Sequence, residues 1–261
     1  MTQFLRLLAE GDKAQALLET CTRLRAGEAD PRHFEVAPSA FDAVPGKPFA
    51  YWVSEAVRET FRRLPSFEDD ARTAVNGLTT GDDFRFFRCH WEVSSITRPD
   101  FIDSSVPGIK EIPPDTHWRW FSYVKGGEDS PFYGKFPMVL NWRFHGKEMK
   151  AFSGTIVRSE EHFYKPGLTW PLRARRFGPQ CRPLFSVFSV RGYSAIAPDY
   201  ELLRLLGLTN TSVFDYLFKI SLGRHGFPEF IVGVLNKLPI PDLSDDNGID
   251  LVQQSGNPET V

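Results

Sequence analysis

Cysteine is scarce in this chain. The three present, Cys21, Cys89 and Cys181, lie far apart and form no CxxC pair. That spacing excludes a zinc ribbon and a disulfide framework. Cys89-His90 with His117 is a poor metal signature. Long apolar runs are also lacking: none approaches the ~18 residues that span a bilayer. The first residues, MTQFLRLLAEGDK, include an acid and no small-residue cleavage site, so they do not read as a signal peptide. The expectation is a reduced, cytoplasmic protein without a membrane partner. An excess of charge is missing too, with 31 basic against 33 acidic residues and a formal net charge of −2. A body coated in indiscriminate affinity for polyanions is excluded, and any such contact must arise from local asymmetry. No internal repeat is visible, and no serine sits in a nucleophile elbow.

What the chain does have is such an asymmetry. From Arg143 to Arg191 there are ten Lys/Arg and three acids, Glu148, Glu160 and Glu161. The densest part, Phe163–Pro198, contains no acid at all. Its glycines and prolines rule out one long helix and predict short strands joined by stiff basic loops. Guanidinium groups on such loops suit a polyanion whose edges are read as well as its charge.

Aromatic residues make up 14% of the 261 residues, enough for a packed, aromatic-rich core. The pattern predicts a mixed α/β (α+β) chain in three parts. Residues 1–74 form a helical N-terminal extension and connector. Residues 75–241 form a mixed sheet with short helices, and 242–261 an acidic disordered tail. Within the first part, Phe4 to Leu24 has helical spacing broken at Gly11-Asp12, which predicts a helical hairpin or a kinked helix, with Asp12 as a cap and an internally packed stripe including Leu17 and Leu18. A short extended piece is expected at His33–Val36, and a helix near 54–63 capped by Ser54. Strands are expected over 84–93, 118–124, 136–144 and 230–238. Short helices are expected at 147–152, at 200–207 capped by Asp199, and at 211–222. Residues 94–116 are expected to form a long loop.

Several segments together resemble one family: PFAYWVSEAVRETF (48–61), NGLTTGDDFRFFRCHWEV (76–93), VLNWRFHGKEMK (139–150), FYKPGLTWP (163–171), 188–198 and VGVLNKLPIPD (232–242). The family is the large adenine-specific DNA methyltransferases of type IIG restriction-modification and of BREX phage exclusion. The resemblance is to their C-terminal target recognition region and covers about residues 48–242. It implies a domain like the specificity domains of restriction systems, which reads duplex DNA while a separate methyltransferase domain or subunit flips and methylates an adenine. The family's Asn/Asp-Pro-Pro-Tyr/Phe tetrapeptide is absent, because the only Pro-Pro is in Ile112-Pro113-Pro114-Asp115. Phe152–Ile156 supplies one glycine of the two that an S-adenosylmethionine turn needs. The expectation is therefore no methyl transfer and no cofactor in this chain, with S-adenosylmethionine on a separate domain.

If the region reads DNA, Lys147, Lys150, Arg158 and Lys165 are candidates for phosphate. Arg173, Arg175 and Arg176, on a loop after Pro171, are candidates for guanine edges, with Arg143 and Asn141 as a second pair and Arg191 in the same basic block. Gly77, Thr79 and Thr80 form a loop whose free amides would approach a phosphate, or else a plain turn. Trp170 is a candidate for stacking on DNA, or a core residue. Two other classes remain open. Pro99-Asp100 or Pro114-Asp115 followed by Glu148-Met149-Lys150 imitates the Mg²⁺ site of PD-ExK nucleases. A non-DNA scaffold whose helical N-terminus docks a partner is the other.

Overall fold

The computed structural model describes residues 1–99, 118–223 and 227–242. It is a mixed α/β chain in which short strands form one two-stranded and two four-stranded sheets among the described residues. The acidic tail beyond Asp242 and residues 100–116 of the expected long loop lie outside the described residues.

The N-terminus is not a helical hairpin. Strand β1 (Thr2–Leu5) pairs antiparallel with β2 (His33–Val36), with Phe4 opposite Phe34. The Phe4 ring stacks on Tyr51 at 4.6 Å and meets Phe41 edge-on, and this aromatic packing overrides the local helical spacing. Helix α1 (Lys13–Arg25) begins where the sequence places it, with the Asp12 carboxylate accepting from the Gln15 amide at 3.0 Å. Its buried residues are Ala16 and Thr20, while the expected inner residues Leu17 and Leu18 are 43% and 64% exposed. Helix α2 (Glu55–Arg63) is capped by Ser54 as expected, through the Val57 amide.

The first four-stranded sheet consists of β3 (Thr73–Val75), β10 (Ser194–Ile196), β7 (Leu168–Thr169) and β8 (Gln180–Cys181) in that order, all antiparallel. Helices α5 (Asp199–Thr209), α6 (Ser212–Leu222) and α7 (Val232–Leu235) share a core with it. Phe177 is central to that core, 4.8 Å from Phe218 and 5.3 Å from both Trp170 and Phe230. Each such buried side chain contributes about 1.5–3 kcal/mol. Two local expectations fail here. Asp199 lies inside the first turn of α5 and Pro198 takes the cap position, where the carboxylate still faces the positive helix end. Within residues 230–238 the chain forms the short helix α7 and a following turn instead of a strand. Asn236 pairs by its side chain with both the amide and the carbonyl of Ala74, at 2.8 and 3.1 Å, which supplies β3 with the partner a strand would have given.

The second sheet runs β4 (Phe87–Cys89), β6 (Met138–Asn141), β5 (Trp120–Val124), β9 (Ser186–Phe188), with β5 and β9 parallel and the other pairs antiparallel. The strand expected over 84–93 is shorter, because Asp82 accepts from the Arg85 amide and opens the helical turn α3 (Asp83–Phe86).

Gly77 and Gly192 clamp the two sheets. A Cβ on Gly77 would lie 1.8 Å from the Phe188 carbonyl oxygen, and one on Gly192 would lie 2.1 Å from that of Val124. The Leu78 amide donates to Phe188 O at 3.0 Å across this seam. The division expected at residues 74/75 falls inside β3. Upstream of it, the Phe67 amide already donates to Leu238 O at 2.7 Å.

Candidate nucleic-acid interface

Strand β6 ends at Asn141, and the buried Trp142 follows. Helix α4 (Arg143–Lys150) then opens with three successive left-handed residues: Phe144 (φ 50°, ψ 50°), His145 (φ 53°, ψ 40°) and Gly146 (φ 71°, ψ 23°). The expected continuation of β6 to Phe144 stops here. Gly146 has no alternative, because a Cβ would meet the Trp142 ring at 2.5 Å. The turn wraps this ring, and the Gly146 amide donates to Trp142 O at 3.2 Å. Trp142 Nε1 in turn donates to Tyr164 Oη at 2.7 Å. Burial pushes the Tyr164 phenol above its ordinary pKa, so it stays a neutral acceptor.

Beside this turn opens a cleft of about 470 Å³ lined by Arg119, Asn141, Arg143, Phe144, Lys147, Glu148 and Ala151. The antiparallel register that sets Trp120 opposite Asn141 carries Arg119 to its edge. Arg119 Nε donates to Asn141 Oδ1 at 3.3 Å. Glu148 is held by Arg85 at 2.9 Å and accepts from Asn141 Nδ2 at 3.4 Å. Arg119, Arg143 and Lys147 are exposed and form no ion pair among the described residues. Three cations against one engaged carboxylate leave the cleft positive.

The other nominated residues divide. Arg175 and Arg176 are exposed on the loop between β7 and β8, as are Arg158, Lys165 and Arg191 on theirs. Arg173 is exposed but paired with Glu229, whose Oε1 accepts from Nε at 2.8 Å. Lys150 is paired with Glu160 at 2.6 Å. Arg182 is buried: Nη2 donates to His162 O and Lys165 O, and the guanidinium lies over the Phe188 ring at 4.6 Å. That burial pushes its pKa down to about 9.

Two nominations are corrected. Trp170 is 1% exposed and donates from Nε1 to Phe230 O at 2.7 Å, so it presents no ring face to a ligand. In the Gly77–Thr80 loop the Gly77, Leu78 and Thr79 amides are already engaged, donating to the Ser189, Phe188 and Ile156 carbonyls. Thr80 is buried and its hydroxyl is bonded to Asp83. These amides are spent on the seam between the sheets.

Among the described residues, only the Glu148 and Lys150 part of the nuclease arrangement is on view. Glu148 and Lys150 lie on α4, where residues two apart diverge by about 200°, and each is tied to a different ion pair. Asp100 and Asp115 lie outside the described residues. The Phe152–Ile156 turn follows helix α4 and not a strand, and Gly154 packs against the backbone of Gly81.

Arg119 and Phe144 were missed in the sequence. Arg119 precedes the WFSYV strand, and only the register with β6 reveals its place. Nothing in the local pattern marks Phe144 as left-handed.

No helix among the described residues is long and apolar enough to cross a membrane. No family model matches the chain. The chain is 26% identical over 223 residues to the adenine-specific methyltransferase PglX of Lacticaseibacillus casei (strain Zhang), a match covering 82% of this chain and 18% of that protein. It is 27% identical over 180 residues to the adenine-specific methyltransferase BrxX of Escherichia coli O9:H4 (strain HS), covering 67% and 14%. The matched stretch thus spans less than a fifth of either relative. The similarity is to adenine-specific methyltransferases, the group that the sequence motifs resemble.

Proposed function

We propose that this chain is a sequence-specific duplex DNA recognition module that directs an adenine-specific (N6) methyltransferase of a phage-defence or restriction-modification system. It transfers no methyl group itself. S-adenosylmethionine and the catalytic tetrapeptide reside on a separate domain or subunit, and the chain works in the cytoplasm alongside it. The observation that carries the reading is the cleft in which Arg119, Arg143 and Lys147 stand without carboxylate partners beside Asn141. Cations free of internal pairing are available to displace the counterions of a duplex. Guanidinium and amide groups are the side chains that read guanine and adenine edges. Arg175, Arg176, Arg158, Lys165 and Arg191 are exposed and add phosphate contacts outside the cleft. The similarity to PglX and BrxX supports adenine methylation as the reaction served.

The methyltransferase partner docks on α1, whose Leu17 and Leu18 face solvent. This observation also suits the scaffold reading, in which α1 holds a partner and DNA is not bound. Fluorescence anisotropy with a random-sequence 30-base-pair duplex at rising salt separates the two. The DNA reading expects affinity that falls steeply with salt, and weaker binding in the double variant Arg143→Ala/Lys147→Ala. Absence of salt-sensitive binding in the wild type leaves only the scaffold.

A further inference from the structure

The left-handed turn carries a side chain whose placement the fold does not account for. An L-residue in this backbone region costs about 1–2 kcal/mol, which is why glycine or asparagine usually occupies it. Phe144 adopts φ 50° and yet is 47% exposed, so burial does not offset the strain. Its neighbours are accounted for. Gly146 is demanded by the Trp142 ring, and half-buried His145 packs toward Tyr164. Phe132 is also exposed with positive φ, but its amide and carbonyl bridge Pro179 and Cys181, which explains its backbone. Phe144 takes part in no β-bridge among the described residues. The Arg143 guanidinium sits over its ring, 4.7 Å from the centroid.

The turn is also built to hold its position. Trp142 is fully buried and hydrogen-bonded to Tyr164, itself at φ 66°, so the support below the turn is strained as well. Strain kept in place by a rigid base is characteristic of residues selected for what they present and not for stability. What this turn presents is an aromatic face at the rim of a positive cleft, with one cation against the ring and two more on the cleft wall.

We propose that Phe144 is a stacking residue: its ring takes the face of one unstacked base in a bound duplex, while Arg143 and Lys147 hold the flanking phosphates. The inference rests on the DNA reading above and deepens it, naming a base opened from the helix as the feature engaged. Every base offers a π-face, so the contact favours an opened step whatever its sequence. A single-base bulge lowers the energy needed to open the step, so it is the direct probe.

The test is anisotropy with two 30-base-pair duplexes, one fully paired and one with a single-adenine bulge at its centre. The variants are Phe144→Gly, which suits the left-handed backbone and keeps the turn, and Phe144→Trp, which keeps the stacking face. The wild type should bind the bulged duplex about five- to hundredfold more tightly, the range expected for one base–aromatic stack. Phe144→Gly should lose that preference while retaining the salt dependence of binding to the paired duplex. Phe144→Trp should keep the preference. A wild type that binds both duplexes equally, or a preference that survives in Phe144→Gly, overturns the stacking role and leaves the DNA reading standing. A wild type that binds neither duplex overturns both.

Discussion

Several arginines around the first four-stranded sheet are engaged within the protein, whereas those lining the cleft on the second form no ion pair. On the β3-β10-β7-β8 sheet, Arg173 is tied to Glu229, and Arg72 lies between Asp69 and Glu201. Arg182, leaving β8, is buried under backbone carbonyls. On the β4-β6-β5-β9 sheet, Arg119, Arg143 and Lys147 line a cleft whose one carboxylate is already bound by Arg85. The cations that line the 470 Å³ cleft without an ion pair lie on the second sheet. A run of basic residues is therefore not the same as a basic surface, because pairing and burial decide which cations a ligand meets.

Removing the clamp that holds both sheets has the largest expected effect. Gly77→Ala places a methyl group against the Phe188 carbonyl, and backbone cannot yield as a side chain can. The expected loss is about 3 kcal/mol or more in urea melts, beyond the usual range for overpacking, with both sheets unfolding together. Next comes the support of the cleft turn. Trp142→Phe leaves Tyr164 Oη without its donor and should cost about 1–3 kcal/mol. It should also weaken DNA binding, although Trp142 itself is buried.

The comparison is sharpened by matched charge removal. Arg143→Ala/Lys147→Ala should reduce the slope of log affinity against log salt by about 2, near 0.9 for each phosphate no longer neutralised. Arg173→Ala should change that slope by less than about 1, since its guanidinium is already paired, and should cost about 0.2–1 kcal/mol of stability as an exposed ion pair. Equal slopes for the two variants would erase the distinction between the sheets.

The smallest effect lies outside both sheets. The Arg32 guanidinium, with the Arg32 amide, holds the Asp30 carboxyl well below the usual carboxylate range. A depressed acid contributes stability that is present above its unfolded pKa of about 3.9 and is lost as pH falls below it. Asp30→Asn should flatten this part of the acid limb in pH-dependent melts and leave DNA affinity unchanged.

Much of the architecture was legible because it is written locally. Asp12 and Ser54 cap the helices they precede, the 211–222 helix forms, and the strands at 118–124 and around 139 appear, since caps and apolar periodicity act within a few residues. The errors came where distant partners decide. Phe4 joined a strand because Tyr51 stacks on it, 230–238 became helical as Asn236 completed β3, and Trp170 went inside to meet Phe230. The candidate interface was half visible for the same reason. Arg143 and Lys147 stand out by charge, whereas Arg119 reaches them only through strand register, and nothing in the local pattern marks Phe144 as left-handed.

The glycine seam has a mechanical corollary. With no room for even one methyl group at Gly77 or Gly192, the sheets form an unyielding mould, so on the proposed DNA reading a bound duplex meets no closing hand. Whatever curvature the complex needs must then be supplied by the nucleic acid. Sites containing pliable pyrimidine–purine steps should be preferred even at positions that no side chain reaches.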